Sequence, residues 1–223
     1  MNLLSIESST SIRSVALQVG DHMIQRICEG GLKHQETLRS HIQLCFDQGG
    51  IKPHQLDGII YGQGPGSFTG IRVACCLAQG ISYALGVPLY TVSSLKLLAH
   101  RVIESGSLLD VTVVMDARLG QVYWGRYQSH EGRLVERVRD QVSDPCDVVN
   151  DPTTNWVGSG CHLLPFLVDQ VPMTQSSDQP LDPIPQARDA LTLMARLYDQ
   201  VRVVKPIDAS PNYCRNRVVH PKI

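Results

Sequence analysis

The spacing of apolar residues along the N-terminal hundred positions switches between the two-residue period of strands and the longer period of helices. Leu3, Leu4 and Ile6 form an apolar run, and Glu7-Ser-Ser-Thr-Ser11 reads as a tight turn. Val15, Leu17 and Val19 then alternate with Ala16 and Gln18, as in a half-buried strand. Gly20-Asp21 signals a hairpin, followed by a third strand from His22 to Cys28. Glu29-Gly-Gly31 breaks the pattern. From His34 to Gln48 the spacing is helical, with Leu38, Ile42 and Cys45 on one face and Gly49-Gly50 as the stop. Leu56 to Tyr61 reads as a fourth strand that runs into a glycine-rich stretch. A helix over about Gly70 to Leu85 follows, ended by Gly86 and Pro88. Pro88 to Val92 is a fifth strand, and Ser93 caps a third helix reaching about Ile103.

The second half is less regular. Val111 to Met115 reads as a buried strand, Asp116-Ala-Arg-Leu-Gly120 as a hairpin turn, and Gln121 to Tyr127 and Leu134 to Val138 as further strands. Most prolines fall beyond residue 140, which predicts short elements and long loops, among them a mobile loop from Met173 to Pro185. A last amphipathic helix is expected from about Gln186 to Val201. Three antiparallel strands followed by β-α crossovers are the order of a ribonuclease-H-like fold. The strand-turn-strand pattern at Leu3 returns at Val111, which suggests two similar lobes, 1–105 and 106–223.

Composition narrows the function classes. The chain has 223 residues, 43% hydrophobic content and a formal net charge of -1. That excludes global disorder and gives no electrostatic case for direct nucleic-acid binding. The basic cluster from Arg133 to Arg139 alternates with Val and Glu and reads as one strand's solvent face. No run approaches the ~20 apolar residues of a membrane span, and no targeting signal is read at the N-terminus. Seven scattered cysteines without a Cys-x-x-Cys pair suit a reducing, cytoplasmic setting. Adjacent Cys75 and Cys76 are expected to pack as small hydrophobes.

The candidate chemistry centres on Gly62, Gly64, Pro65, Gly66, Ser67, Phe68, Thr69 and Gly70. A glycine-rich turn from strand to helix either cradles an anion or admits a close backbone. The phosphate-loop pattern fails because Ile71, not lysine, follows Gly70. The dinucleotide fingerprint fails because Gly70 lies one residue too far from Gly66. Arg72 is the only nearby cation. A plainer alternative is that Ser67 or Thr69 caps the next helix. That helix is almost entirely apolar, and Gly70, Ala74, Ala78 and Ser82 recur every four residues as a ridge of small side chains. Such a ridge admits a second helix, from the same chain or from another. No catalytic residue is assigned. His34 and His41 are seven residues apart on one helix, too far to share a metal. Ser67 lacks the setting of a nucleophile elbow. Glu7 and Asp116 end strand-like runs, where such folds place magnesium-binding acids, and with the turn at Gly158-Ser-Gly160 they are the basis of a rival reading as an enzyme.

Gly64-Pro-Gly-Ser-Phe-Thr-Gly-Ile-Arg72 closely resembles the signature of the bacterial TsaB (YeaZ) family. Ser14-Val-Ala-Leu17, Met115-Asp-Ala-Arg-Leu-Gly-Gln-Val-Tyr-Trp124 and Pro211-Asn-Tyr-Cys-Arg-Asn216 resemble other segments of it, in order. The resemblance implies two ribonuclease-H-like lobes of the actin/hexokinase/Hsp70 (ASKHA) superfamily. It implies a non-catalytic subunit that binds the catalytic paralogue TsaD. With the ATPase TsaE, it would support transfer of threonylcarbamoyl from its AMP ester to adenosine 37 of tRNAs reading codons that begin with A. ATP and threonylcarbamoyl-AMP would be used by the complex, none of them held tightly by this chain alone, and tRNA would be met through the complex. The resemblance places the TsaD contact, or a homodimer contact when TsaD is absent, on the first two helices. The residues expected there are Leu38, His41, Ile42, Cys45, Gly70, Arg72, Ala74, Cys75, Ala78 and Ser82. The extreme C-terminus is expected to pack back on the first lobe. Ile6-Glu-Ser-Ser9 resembles the catalytic paralogue's first turn more than the usual Ile-Asp-Thr, which leaves a vestigial nucleotide pocket at Glu7, Ser8, Ser9, Asp116, Gly158 and Gly160. The TsaD-like His-x-x-x-His metal motif is missing, so no metal site is expected. The alternative is an ASKHA-type phosphotransferase or an M22-like metallopeptidase acting alone.

Overall fold

The computed structural model describes residues 1–29, 34–106, 108–167 and 184–214. The loop expected from Met173 lies outside them as far as residue 183, as does the Pro211–Asn216 segment from Arg215 onward. β1 (Asn2–Glu7), β2 (Ile12–Val19) and β3 (His22–Glu29) form an antiparallel meander, with Leu4 opposite Leu17 and Leu17 opposite Ile24. α1 (His34–Gly49) leads to β4 (Gly58–Gly62), which lies parallel to β1. α2 (Phe68–Leu85) then crosses over to β5 (Leu89–Val92), parallel to β4, and α3 (Ser94–Glu104) follows with Ser93 as its cap. β6 (Asp110–Arg118), β7 (Gln121–His130) and β8 (Arg133–Ser143) make a second meander, joined by β9 (Asn155–Val157) in parallel with β6. α4 (Ala187–Arg196) and β10 (Arg202–Val204) return to the first sheet, whose order is β10-β5-β4-β1-β2-β3.

The differences from the sequence reading have local causes. α2 starts at Phe68 rather than Gly70, because the Ser67 hydroxyl accepts from the Gly70 amide and fixes the first turn. The last helix ends at Arg196 and not near Val201, because Leu197 leaves helical geometry (φ -136, ψ 52) and a short turn over Tyr198–Gln200 frees Arg202–Val204 to pair with β5. β9 and β10, at three residues each, are too short to show a period.

Side-chain alternation sorts the core into layers. Leu4, Ile6, Val15, Leu17, Ile59 and Tyr61 point from the first sheet towards α1 and α2. Leu3, Ala16, Ile60, Tyr90 and Val92 point the other way, into a cluster shared with α3, α4 and Val111, Val113 and Tyr127 of the second sheet. α3 therefore lies against the second sheet although it precedes it in sequence, and α4 lies against the first although it follows the second. The α4 N-terminus is fastened to β2 by the Ala187 amide, which donates to the Ser14 hydroxyl at 2.8 Å.

α2 is, by length and composition alone, long and apolar enough to cross a membrane, although the sequence reading found no such run. Its place is a β4–α2–β5 crossover that lays it along a parallel sheet.

One core between the sheets makes their unfolding cooperative. Ile60 belongs to the first sheet, whereas both tryptophans, Trp124 and Trp156, lie on the second. Ile60→Ala is expected to cost about 2–5 kcal/mol and to move the urea midpoints of tryptophan fluorescence and far-UV circular dichroism together. A fluorescence midpoint unmoved by the substitution would show that the sheets unfold separately.

Candidate functional site

The glycine loop is packed against the β1–β2 turn at almost no distance. A Cβ on Gly62 would fall inside the Glu7 carboxylate, one on Gly66 against the Ser9 carbonyl, and one on Gly70 against the Ser8 carbonyl. The Ser67 amide donates to the Ser9 carbonyl at 2.6 Å, and the Gly64 amide to the Ser94 hydroxyl at 3.2 Å. Those two loop amides, which an anion would call on, are already engaged within the chain. The glycines serve a close approach of backbones, and Ser67 caps the helix they launch.

Glu7 is the centre of this contact. It is 1% exposed, and its carboxylate accepts from the Ser9 amide at 2.6 Å and the Ser94 hydroxyl at 2.9 Å. Burial pushes its pKa above the ordinary 4.5, against the lowering effect of the hydrogen bonds from Ser9, Ser94 and Ser8. Of the expected nucleotide pocket, Glu7, Ser8 and Ser9 come together here, with both serines buried. Asp116, Gly158 and Gly160 form a separate group at the end of β6. The Asp116 carboxylate accepts from the Arg118 amide at 2.7 Å, and the Gly160 amide donates to the Val114 carbonyl at 3.0 Å. Among the described residues no hydrogen bond or ion pair joins the two groups, and the Glu7 carboxylate is closed off by its own turn. Among the described residues, no three His, Cys, Asp or Glu side chains are grouped to hold a metal ion.

The expected partner surface needs correction. Gly70, Ala74, Ala78 and Ser82 are all buried, Ala74 and Ala78 completely. Cys75 is 3% exposed, and on α1 Leu38, Ile42 and Cys45 are 0%, 8% and 0% exposed. These residues hold the two helices on their own sheet and cannot meet another chain. Of the expected set, only His41, half-buried, and Arg72, exposed, reach the surface. Small side chains suit close packing on a sheet as well as on a helix, so four-residue spacing alone does not say which side a ridge faces.

The outward ridge of α2 is a different one, two residues along. Arg72, Cys76, Gly80 and Ala84 are all exposed, and Val73, Leu77, Ile81 and Leu85 beside them are half-buried. Adjacent residues on a helix point about 100° apart, so Cys75 faces the core while Cys76 lies on the surface. Gly80 has open space where a Cβ would stand. Between this ridge and α1 runs an open groove of about 620 Å³ lined by Arg39, Leu44, Phe46, Pro53 and Ile81, among others. Leu44 is 45% exposed and Tyr83 81%. α2 thus has one ridge docked on the sheet and a second, mostly apolar ridge, with Arg72 at its N-terminal end, left uncovered.

The C-terminal segment completes this face. The Asn212 amide donates to the Gln63 carbonyl at 2.7 Å, Tyr61 Oη to the Ser210 carbonyl at 3.2 Å, and Gln79 Nε2 to the Pro206 carbonyl at 2.6 Å. Tyr213 reaches the start of α2, where Arg72 Nε donates to its hydroxyl at 2.8 Å. No local pattern in the sequence signals contacts spanning more than a hundred residues.

With this geometry in place, the likenesses to known proteins have a structural frame. The family model described as TsaD, tRNA N6-adenosine threonylcarbamoyltransferase, matches residues 30–157, more than half of the chain. The chain is 27% identical to the tRNA threonylcarbamoyladenosine biosynthesis protein TsaB of Escherichia coli (strain K12), covering 100% of this chain and 98% of that one. It is 33% identical to the protein of the same name from Bacillus subtilis (strain 168), over 63% of this chain and 61% of that one. Its structure is similar to that of YeaZ from Pseudomonas aeruginosa, with a TM-score of 0.80 at 29% identity, over 95% and 99% of the two chains.

Two glycines of one helix separate the roles of its faces. Gly70→Ala is expected to lower stability by ~1–3 kcal/mol or more through overpacking against Ser8. Gly80→Ala, in open space, is expected to raise it by about 0.5–1 kcal/mol, and thermal melts compare the two. If Gly70→Ala proves as stable as the parent protein, the close approach is not a constraint. The Glu7 pKa gives a pH dependence of definite sign. The folded chain keeps this proton to higher pH than the unfolded chain, so its contribution is complete below about 4.5 and is lost as pH rises through the raised value. Glu7→Gln is therefore expected to flatten the decline of urea stability above pH 4.5, and an unchanged slope would remove Glu7 as its source.

Proposed function

The chain belongs to the TsaD (tRNA N6-adenosine threonylcarbamoyltransferase) family, and we propose that it acts in the biosynthesis of threonylcarbamoyladenosine in tRNA as a non-catalytic subunit. Its partner in this reading is a catalytic TsaD-family chain, docked on the outward faces of α1 and α2. The observation that carries the reading is the uncovered ridge Arg72–Cys76–Gly80–Ala84 with its half-buried apolar flank. Small residues at four-residue spacing let a second helix approach closely, and the apolar flank rewards that approach with buried area. In the absence of the partner, a second copy of the chain would cover the same face.

The non-catalytic part rests on the site described above. The Glu7 carboxylate that would face a nucleotide in an active relative is enclosed by Ser9, Ser94 and Gly62. In this reading ATP and threonylcarbamoyl-AMP are used by the complex, TsaE takes part in it, and adenosine 37 of the tRNA is modified on the catalytic chain. What this chain supplies is a rigid two-helix surface, held on its sheet by Leu38, Cys45, Ala74 and Ala78.

The test uses the outer ridge, not the inner one. Gly80→Arg is expected to fold normally and to weaken association with the TsaD-family subunit of the same organism roughly tenfold to over a hundredfold, as overpacking of ~1–3 kcal/mol at an interface would. Light scattering after gel filtration reads the complex, and nucleoside analysis of tRNA reads modified adenosine. Ala78→Leu is expected to fail by unfolding instead, because Ala78 has no exposure. A folded Gly80→Arg protein that binds as tightly as the parent would rule out this face.

A further inference from the structure

Arg72 is held between two aromatic rings, Phe68 one turn earlier on its own helix and Tyr213 from the C-terminal segment. Its guanidinium carbon lies 3.5 Å from the centre of the Phe68 ring and 5.4 Å from that of Tyr213. The two rings are 5.9 Å apart, and the Nε–H donates to Tyr213 Oη at 2.8 Å. The stack is at the surface, with Phe68 52% and Tyr213 37% exposed. Among the described residues no carboxylate pairs with it, and the ion pairs between those residues lie elsewhere. Nε is engaged, and the two terminal nitrogens keep the fork that matches a carboxylate.

The aromatic stack accounts for the orientation of this cation, but the helix gains nothing from its charge. Arg72 stands near the N-terminal end of α2, where the helix dipole disfavours positive charge. It is also the only charged residue in the whole of α2. From it the outward ridge runs on through Cys76, Gly80 and Ala84 with no other charge to direct a partner. An apolar ridge gives affinity but little register, and a single fixed charge at one end supplies register.

We propose that Arg72, clamped by Phe68 and Tyr213, is the receptor for a side-chain carboxylate on the partner subunit and sets how that subunit's helix aligns along the α2 ridge. This rests on the docking surface proposed above. A protein carboxylate is favoured over a nucleic-acid phosphate because the α2 ridge beyond Arg72 carries no second cation to follow a phosphate backbone and the chain's net charge is -1. The fixed fork pairs two N–H groups with both carboxylate oxygens, and the aromatic clamp removes in advance the rotamer freedom that binding would cost.

The experiment measures, by calorimetry, binding of the TsaD-family subunit to the parent chain and to Arg72→Glu, Arg72→Lys, Tyr213→Phe and Gly80→Arg. Arg137→Glu, exposed on β8, serves as the charge-matched control. Arg72→Glu is expected to lose roughly tenfold to a hundredfold in affinity. Arg72→Lys should fall between it and the parent, since lysine keeps the charge but not the fork. The parent's affinity should fall between about 50 mM and about 500 mM salt, and that dependence should shrink in Arg72→Glu. Among Asp and Glu to Lys substitutions on the partner, one should restore binding to Arg72→Glu. Parent-like affinity for Arg72→Glu, with Gly80→Arg impaired, overturns the carboxylate receptor and leaves the docking face standing. No binding by the parent chain overturns both. Normal subunit binding by Arg72→Glu together with weakened retention of tRNA identifies the anion as phosphate, and that too overturns the proposal.

Discussion

The turn after β1 and the glycine loop after β4 lie so close that a Cβ on Gly62, Gly66 or Gly70 would strike the turn. Glu7 fills the remaining space with a carboxylate that binds Ser9 and Ser94, and Gly62 and Gly70 make room for it and for the Ser8 carbonyl. This contact fixes where α2 begins, because Ser67 both donates to Ser9 and caps the helix. The rotation of α2 about its axis follows from that start. So does the division of its residues into a ridge that meets the sheet and a ridge that does not. A buried acid with a raised pKa is a costly way to join two turns. It is tolerated because each carboxylate oxygen has a donor.

The two sheets are less independent than two lobes in sequence order would be. α3 from the first half covers the second sheet, and α4 and β10 from the second half return to the first. The core between them is a single body of side chains, so a change on one sheet is felt on the other. The segment from β10 to Tyr213 then runs along the outside of the first sheet and braces the loop and helix from beyond, through Gln63, Gln79 and Arg72. The outer face of the first lobe is therefore assembled from three stretches: α1, α2 and this C-terminal segment. The carboxylate at Glu7 is enclosed while the ridge on α2 stays open, so the polar and apolar features of this lobe lie on different sides of the same contact.

How much was legible in the sequence depended on range. The early strands and helices were read within a few residues because their periods are long and their stops are glycines or prolines. β9 and β10 were missed because three residues show no period. The identity of the glycine loop as a turn into a capped helix could be read from Ser67 and the missing lysine. The direction in which α2 faces could not, because Gly70–Ala74–Ala78–Ser82 and Cys76–Gly80–Ala84 are both runs of small residues at helical spacing. Nothing local says which of them meets the sheet.

By itself the sequence determined the order of the elements up to α3, the family likeness carried by Gly64–Arg72, and the absence of a lysine where a phosphate loop needs one. These are properties of neighbouring residues, set by backbone sterics and hydrophobic period. Only the tertiary structure decided that Glu7 is enclosed, that the exposed ridge is Arg72–Cys76–Gly80–Ala84, and that Tyr213 clamps Arg72. Each of these depends on atoms brought together from stretches far apart in the chain, and on the one angle at which α2 leaves its loop. Hydrophobic period states that a helix has a face, but burial against a particular sheet decides which face it is.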